Sequence, residues 1–175
     1  YFLTISSFGK NSANPHYSHG NYKLKKGDII LCDFGASYKK YNSDITRVFV
    51  MGKASKKQID IFETVKKAQQ IGIDSAKAGI EGKVVHNKVN NFIENTKFRG
   101  LFIHSTGHSL GMDVHDGGVG FNSECKINLK ENMVLTVEPG IYIKNLGGIR
   151  LEDDIVIRKN KAEVISKARK DLIEI

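Results

Sequence analysis

Asp33, Asp44, His108, Glu138 and Glu152 follow one another along the chain, each at the end of an apolar run that reads as a strand. Four carboxylates and one imidazole in stretches poor enough in charge to be buried repel one another strongly unless cations neutralise them. Hard oxygen donors dominate the set, which suits divalent ions of the manganese, cobalt or zinc type. Four carboxylates with one histidine are too many for a single four-coordinate zinc, so two metals are the natural count.

The elements that must position these groups can be read from apolar periodicity. Asp28 to Phe34 and Ile45 to Val50 flank the polar stretch 38–43 and read as a hairpin about the Tyr38-Lys39 region. Folding its arms together brings Asp33 and Asp44 roughly opposite each other, close enough to share a cation. Met133 to Val137 and Gly140 to Ile143, interrupted by Glu138-Pro139, turn through 144–148 into Ile149 to Ile157. This second hairpin again carries one acid per arm, Glu138 and Glu152. Between the hairpins, Ser55 to Ala78 carries Ile59, Phe62, Val65, Ala68, Gln69, Ile73 and Ala76 at helical spacing, with Ser55 as N-cap and Gly79 as the stop. A second helix, Lys83 to Asn95, packs through Val85, Val89, Phe92 and Ile93. Leu101 to His104 reads as a short strand entering a glycine-bearing loop, and Tyr1 to Ser7 as an N-terminal strand.

A chain of 175 residues fits one domain with a sizeable core. Its formal charge of +8 comes mainly from lysines in turns and on helix faces, without the interleaved arginine and aromatics of a nucleic-acid groove. A solvated surface and no specific nucleic-acid partner are expected. Cys32 and Cys125 lie far apart in unrelated contexts, which favours inert thiols in a reduced, cytoplasmic protein. There is no apolar run of membrane-spanning length.

The stretches Asp33-Phe34-Gly35-Ala36, 42–47 around Asp44, Gly107-His108-Ser109-Leu110-Gly111, Val137-Glu138-Pro139-Gly140 and 148–153 around Glu152 closely resemble, in order, the pita-bread metallopeptidases. That family includes methionine aminopeptidase, aminopeptidase P and prolidase. Asn14-Pro15-His16-Tyr17 and Met112-Asp113-Val114-His115-Asp116 are similar to the two histidine motifs of its proline-specific branch. The resemblance implies an α+β pita-bread fold: pseudo-symmetric halves with an antiparallel curved sheet covered by helices on one face. It implies a dinuclear metallo-exopeptidase, an Xaa-Pro dipeptidase or Xaa-Pro aminopeptidase, acting on proline-containing peptides through a metal-activated bridging water. Mn2+ or Co2+ are the expected metals, with Zn2+ or Fe2+ as further candidates, and a homodimer is left open. Asp33 and Asp44 would hold one metal, His108 and Glu138 would complete the other, and Asp44 and Glu152 would bridge both. Glu138 would shuttle a proton, His16 and His115 would donate hydrogen bonds to substrate, His104 would line the substrate pocket or equally satisfy backbone groups, and Arg150 would orient an acidic ligand.

Other readings stand beside this one. Prolidases that grip a dipeptide's free carboxylate commonly carry an arginine between the second histidine motif and Val137-Glu138; here that interval holds only Lys126 and Lys130. Dipeptidase and aminopeptidase therefore both remain open, with methionine aminopeptidase as the in-class alternative. A metal-free pita-bread binding module, or a metal-free hydrolase such as creatinase, has no physical need for four clustered carboxylates. His19 and His86 read as ordinary hydrogen-bonding histidines, Tyr41 and Tyr142 as packing residues or else as the lining of a hydrophobic pocket for the proline ring, and Asp113 as exposed. Asp116, Asp153 and Asp154 read either as partners of the ligands or as solvated acids. On the pseudo-symmetry, residues 1–175 are expected to form a catalytic domain that lacks its first helical pair and any upstream N-terminal domain.

Overall fold

In the computed structural model, which describes residues 4–18 and 20–175, the chain forms strands around two helices. In order these are β1 (Ile5–Phe8), a 3-10 turn (Gly9–Ala13), β2 (Ile29–Phe34), β3 (Ser37–Tyr38), β4 (Tyr41–Asn42), β5 (Ile45–Val50), α1 (Lys56–Ser75) and α2 (Gly82–Glu94). There follow β6 (Gly107–His108), β7 (Gly120–Phe121), β8 (Val134–Val137), β9 (Gly140–Ile143), β10 (Gly147–Arg150), β11 (Asp153–Ile157), β12 (Ala162–Val164) and β13 (Ile173–Glu174).

The first hairpin pairs β2 with β5 and β3 with β4 in one continuous register. Its tip is Lys39-Lys40, both at positive φ, the backbone of a two-residue turn whose twist matches the strands. This register corrects the expected pairing: Asp33 faces Thr46, and Asp44 lies two residues further along the same face. The two aspartates are therefore diagonal neighbours.

The second hairpin is split. β9 pairs with β10 and β8 with β11, but Asp153↔Val137 and Arg150↔Gly140 belong to the same register, so Glu138 and Glu152 lie across from each other at the break. Pro139 has no N–H for the ladder there, and its carbonyl accepts instead from Leu151 N–H at 3.3 Å. The interruption frees both glutamates from the regular ladder.

Helix α1 begins with a complete capping box: Ser55 Oγ accepts from Gln58 N–H while the Gln58 side chain accepts from Ser55 N–H. Its buried stripe runs through Ile61, Val65, Ala68 and Gly72, with Phe62 and Ile73 beside it. Ile59, expected in that stripe, is 43% exposed, whereas Ile61 is fully buried. The helix ends at Ser75, before the expected Ala78. α2 packs Val85, Val89 and Ile93 against the same core.

Leu101 to His104 is irregular, because it offers the sheet a single bond, from Tyr142 N–H to the Leu101 carbonyl. Of the expected N-terminal strand, Ile5–Phe8 pairs with β2, and residues 1–3 lie outside the described residues. At the other edge β13 joins β5 in parallel.

Two close approaches seat the site. Gly148 N–H donates to Ser12 Oγ at 2.9 Å, and a Cβ on Gly148 would strike the Ser12 carbonyl; this docks the turn that leads to His16. Gly107 lies so close to β8 that a Cβ would overlap the Thr136 carbonyl, while His108 N–H donates to Thr136 Oγ1 at 3.1 Å. We expect Gly107→Ala to push β6 off β8 and lower stability by about 1–3 kcal/mol in denaturant unfolding. An unchanged midpoint would show that this approach is not tight.

Candidate metal centre

Two neighbouring hairpins deliver the acids. β5 and the β10–β11 break are joined by Glu152 N–H to the Thr46 carbonyl at 3.3 Å and by Thr46 Oγ1 to Glu152 Oε2 at 2.6 Å. Thr46 shares a strand face with Asp44 and is fully buried, so one hydroxyl links the two hairpins at the site.

All five residues expected as ligands line one cavity of about 320 Å³, together with His16, His104, His115 and Arg150. One ligand atom each of Asp44, His108 and Glu152 falls within a 4.8 Å cluster. Glu138 joins through His108, whose Nε2 lies 3.5 Å from Glu138 Oε1 and 3.7 Å from Asp44 Oδ2. Asp33 is turned toward Arg150 at 2.6 Å. His108 Nδ1 lies 3.1 Å from the Ser109 carbonyl, which fixes the proton on Nδ1 and leaves the Nε2 lone pair facing the acids. His16 and His115 stand exposed on the lining. The His115 ring is centred 4.1 Å from that of His108.

Arg150 is the buried cation nearest the acids. Besides Asp33 it donates from Nε to Thr46 Oγ1 at 3.1 Å and from a terminal nitrogen to the Tyr142 hydroxyl at 3.0 Å, and its Nε lies 3.9 Å from Glu138. The Tyr142 hydroxyl donates onward to His104 Nε2 at 2.8 Å, and His104 Nδ1–H to the Ser105 carbonyl at 2.8 Å. His104 thus lines the cavity and satisfies a backbone group at once. Tyr142 is a buried member of the site network rather than a packing residue.

Asp153 and Asp154 are buried rather than solvated. Asp153 pairs with Arg47 at 2.6 Å and Lys170 at 3.0 Å and accepts from Gln69 on α1; Asp154 accepts from Asp44 N–H at 3.2 Å. Asp116 accepts from Met112 N–H, and Asp113 is exposed. His86 bonds Thr106 Oγ1 at 3.0 Å, away from the cavity, and Tyr41 is exposed. His19 lies outside the described residues. Lys126 and Lys130 are exposed and do not line the cavity.

Without metal this crowding suppresses ionisation. Burial, then the Asp33 and Glu138 charges, pushes the Asp44 carboxyl up to about 9. Burial likewise raises Glu138 to about 7 against the pull of Arg150, and holds Glu152 well above the usual range with help from Glu138 and Asp44. Burial lowers His108 to about 4, keeping the imidazole neutral and able to act as a ligand. The Asp33 Oδ1 and Asp44 Oδ1 atoms are buried without a hydrogen-bond partner. Clustered acids, a neutral imidazole and orphaned oxygens fit divalent cations.

Known proteins share this architecture. Residues 1–159 match the metallopeptidase family M24. An Xaa-Pro dipeptidase of Pyrococcus horikoshii is 40% identical over 172 residues, which cover 98% of this chain and 49% of the relative. The crystal structure of an X-Pro aminopeptidase from Thermotoga maritima matches with a TM-score of 0.96 at 36% identity, over 99% of this chain and 49% of that one. A prolidase from Pyrococcus furiosus matches with a TM-score of 0.92 at 39% identity, over 96% and 50%. The α+β pita-bread fold expected from the sequence is the fold of this chain. The chain spans about half the length of the curated relatives it matches.

The raised carboxyls give stability a defined pH dependence. Their folded pKa values lie above the ordinary carboxylate values near 4, so the folded metal-free chain holds protons that the unfolded chain has released. That contribution is complete below about pH 4 and is lost as pH rises through 7 toward 9. We expect the melting temperature of the metal-free protein to fall between about pH 5 and pH 8, with a shallower fall in Asp44→Asn and in the manganese-loaded protein. A flat profile in the metal-free protein would show that these acids are not raised.

Proposed function

We propose a function from this premise: the chain belongs to metallopeptidase family M24, with residues 1–159 matching it. It is a dinuclear metal-dependent peptidase that hydrolyses Xaa-Pro bonds, as a proline dipeptidase or an Xaa-Pro aminopeptidase. The observation that carries this reading is the single cavity that collects Asp33, Asp44, His108, Glu138 and Glu152 with His104 and the two motif histidines His16 and His115. The two free cysteines support a reducing, cytoplasmic setting. Among the described residues no helix is long and apolar enough to cross a membrane.

Asp33, Asp44, His108, Glu138 and Glu152 would hold two divalent cations, with Mn2+ or Co2+ suiting the oxygen-rich set. Bound there, such cations supply Lewis acidity and lower the pKa of a coordinated water. Glu138 would take at its carboxylate the proton that the attacking water loses and pass it to the prolyl nitrogen, which must be protonated as its bond to the carbonyl carbon breaks. Thr136 Oγ1, 3.3 Å from Glu138 Oε1, holds that carboxylate in place. His115 and His16 donate hydrogen bonds to the substrate carbonyl and the developing oxyanion, where removing one such donor costs about 3–4 kcal/mol. His104, locked between Ser105 and Tyr142, forms fixed wall. Arg150 restrains Asp33, so its loss would leave that ligand free to rotate.

After loading and dialysis, elemental analysis should find about two divalent ions per chain, and Asp44→Ala or Glu152→Ala should abolish their retention. Full retention in both variants would remove the proposed site. On Xaa-Pro dipeptides and Xaa-Pro-Yaa tripeptides, Glu138→Gln and His115→Ala should each lower kcat by about a hundredfold or more, with much smaller changes in KM. Metal content is measured alongside for Glu138→Gln. Unchanged turnover would take that residue out of the mechanism, and preference for a Met-Ala peptide would select the methionine aminopeptidase reading instead.

A further inference from the structure

His115 rides on the loop 111–118, which lies outside every strand and helix and outside both hydrophobic cores. Met112 is 61% exposed, Asp113 and His115 are exposed, and Val114 is half-buried at the cavity wall. The loop closes on itself. Met112 N–H donates to Asp116 Oδ2 at 2.9 Å, Gly111 N–H to the Asp113 carbonyl at 3.1 Å, and Asp116 N–H to the Ser109 carbonyl at 3.0 Å. It leaves through Gly117 and Gly118, at φ of +77° and +68°, a backbone that glycine adopts without steric cost. Such a segment has little burial of its own to fix where its histidine stands.

Asn42 ties the loop to the first hairpin. Its Nδ2 donates to the Met112 carbonyl at 2.7 Å and to the Gly111 carbonyl at 3.2 Å, and its backbone N–H donates to the same Gly111 carbonyl at 2.9 Å. Among the described residues, these are the only hydrogen bonds between residues 111–118 and an element distant in the chain. The orientation of the amide is set by its donors. Its Oδ1 is buried without a partner, and a flipped amide would set that oxygen against two carbonyl oxygens. Asn42 is itself held: it pairs with Ser37 across the hairpin, and next to it Ser43 N–H donates to the Ala36 carbonyl at 2.9 Å while Ser43 Oγ accepts from Ala36 N–H at 3.0 Å. Asp44 follows two residues after Asn42. One stretch of chain therefore fixes both Asp44 and the loop that carries His115, and these two side chains line the same cavity, which Asn42 does not.

We propose that Asn42 is a positioning residue, whose side-chain amide holds the loop 111–118 so that His115 stands over the metal cavity. The kinetic consequence rests on the role proposed above for His115. The hold on the loop rests on the hydrogen bonds alone. Displacing a reacting group by about 1 Å can cost about a hundredfold in rate, so a loop held by two side-chain bonds leaves room for a measurable loss.

Asn42→Ala is compared with Asn42→Leu, which keeps much of the side-chain volume and removes both donors, on the manganese-loaded chain with an Xaa-Pro peptide and with metal content measured alongside. Both variants should lower kcat by about tenfold, with a much smaller change in KM. In a His115→Ala background Asn42→Ala should lower kcat no further, because the hold acts through that imidazole; a merely structural role would add its loss there. Amide exchange needs no substrate, and at Met112 and Asp116 it should quicken by about tenfold in Asn42→Ala, while the amides of β5 stay as protected as before. Unchanged exchange at both loop amides would overturn the proposal. So would a kcat loss of equal size with and without His115, or full turnover in Asn42→Ala where His115→Ala loses it. Unchanged turnover in His115→Ala would instead remove His115 from the mechanism, and faster exchange in Asn42→Ala would still support the hold on the loop.

Discussion

Repulsion among buried carboxylates governs this structure. Asp33, Asp44, Glu138 and Glu152 share one cavity, and among the described residues Arg150 alone of the lysines and arginines pairs with them, 2.6 Å from Asp33 and 3.9 Å from Glu138. At low local dielectric such acids cannot all ionise together without added positive charge. The raised pKa values of Asp44 and Glu138 and the unpartnered oxygens on Asp33 and Asp44 are two expressions of the same deficit. Divalent cations would satisfy both.

Keeping such a cluster in place requires a frame stiffer than two hairpins. Thr46 bonds Glu152 and receives Arg150; Arg47 pairs with Asp153; Gln69 reaches from α1 to Asp153 and to the Val137 carbonyl at 3.1 Å. The segments that carry Asp44, Glu138 and Glu152 are thereby tied together through buried polar groups that are themselves hydrogen-bonded. Such buried pairs set geometry more than they add stability, because their desolvation offsets much of their attraction. The Arg150–Tyr142–His104 chain carries the same rigidity to the cavity wall.

Much of this was legible in the residues. Apolar runs placed both hairpins, and Ser55 as N-cap marked the start of α1. The order of acids and histidines indicated which side chains would meet. Register was harder: a one-residue difference in the turn centre, Lys39-Lys40 rather than Tyr38-Lys39, decides whether Asp33 faces Asp44 or Thr46. The role of Thr46 follows from that register alone. Tyr142, Arg47 and Gln69 act through contacts with residues far away in the chain, for which local periodicity carries no signal. The parallel seat of β13 on β5 is likewise a long-range contact.

Proton release measures the carboxylate deficit most directly. Titrating the metal-free chain with manganese at about pH 6.5, in buffers of differing ionisation enthalpy, lets calorimetry count the protons expelled when raised carboxyls become ligands. With Asp44 at about 9 and Glu138 at about 7 before binding, the expected release is more than about one proton per chain. Tight binding with no proton release would mean that the acids were already ionised together, and would contradict the claim that metal is what permits their cluster.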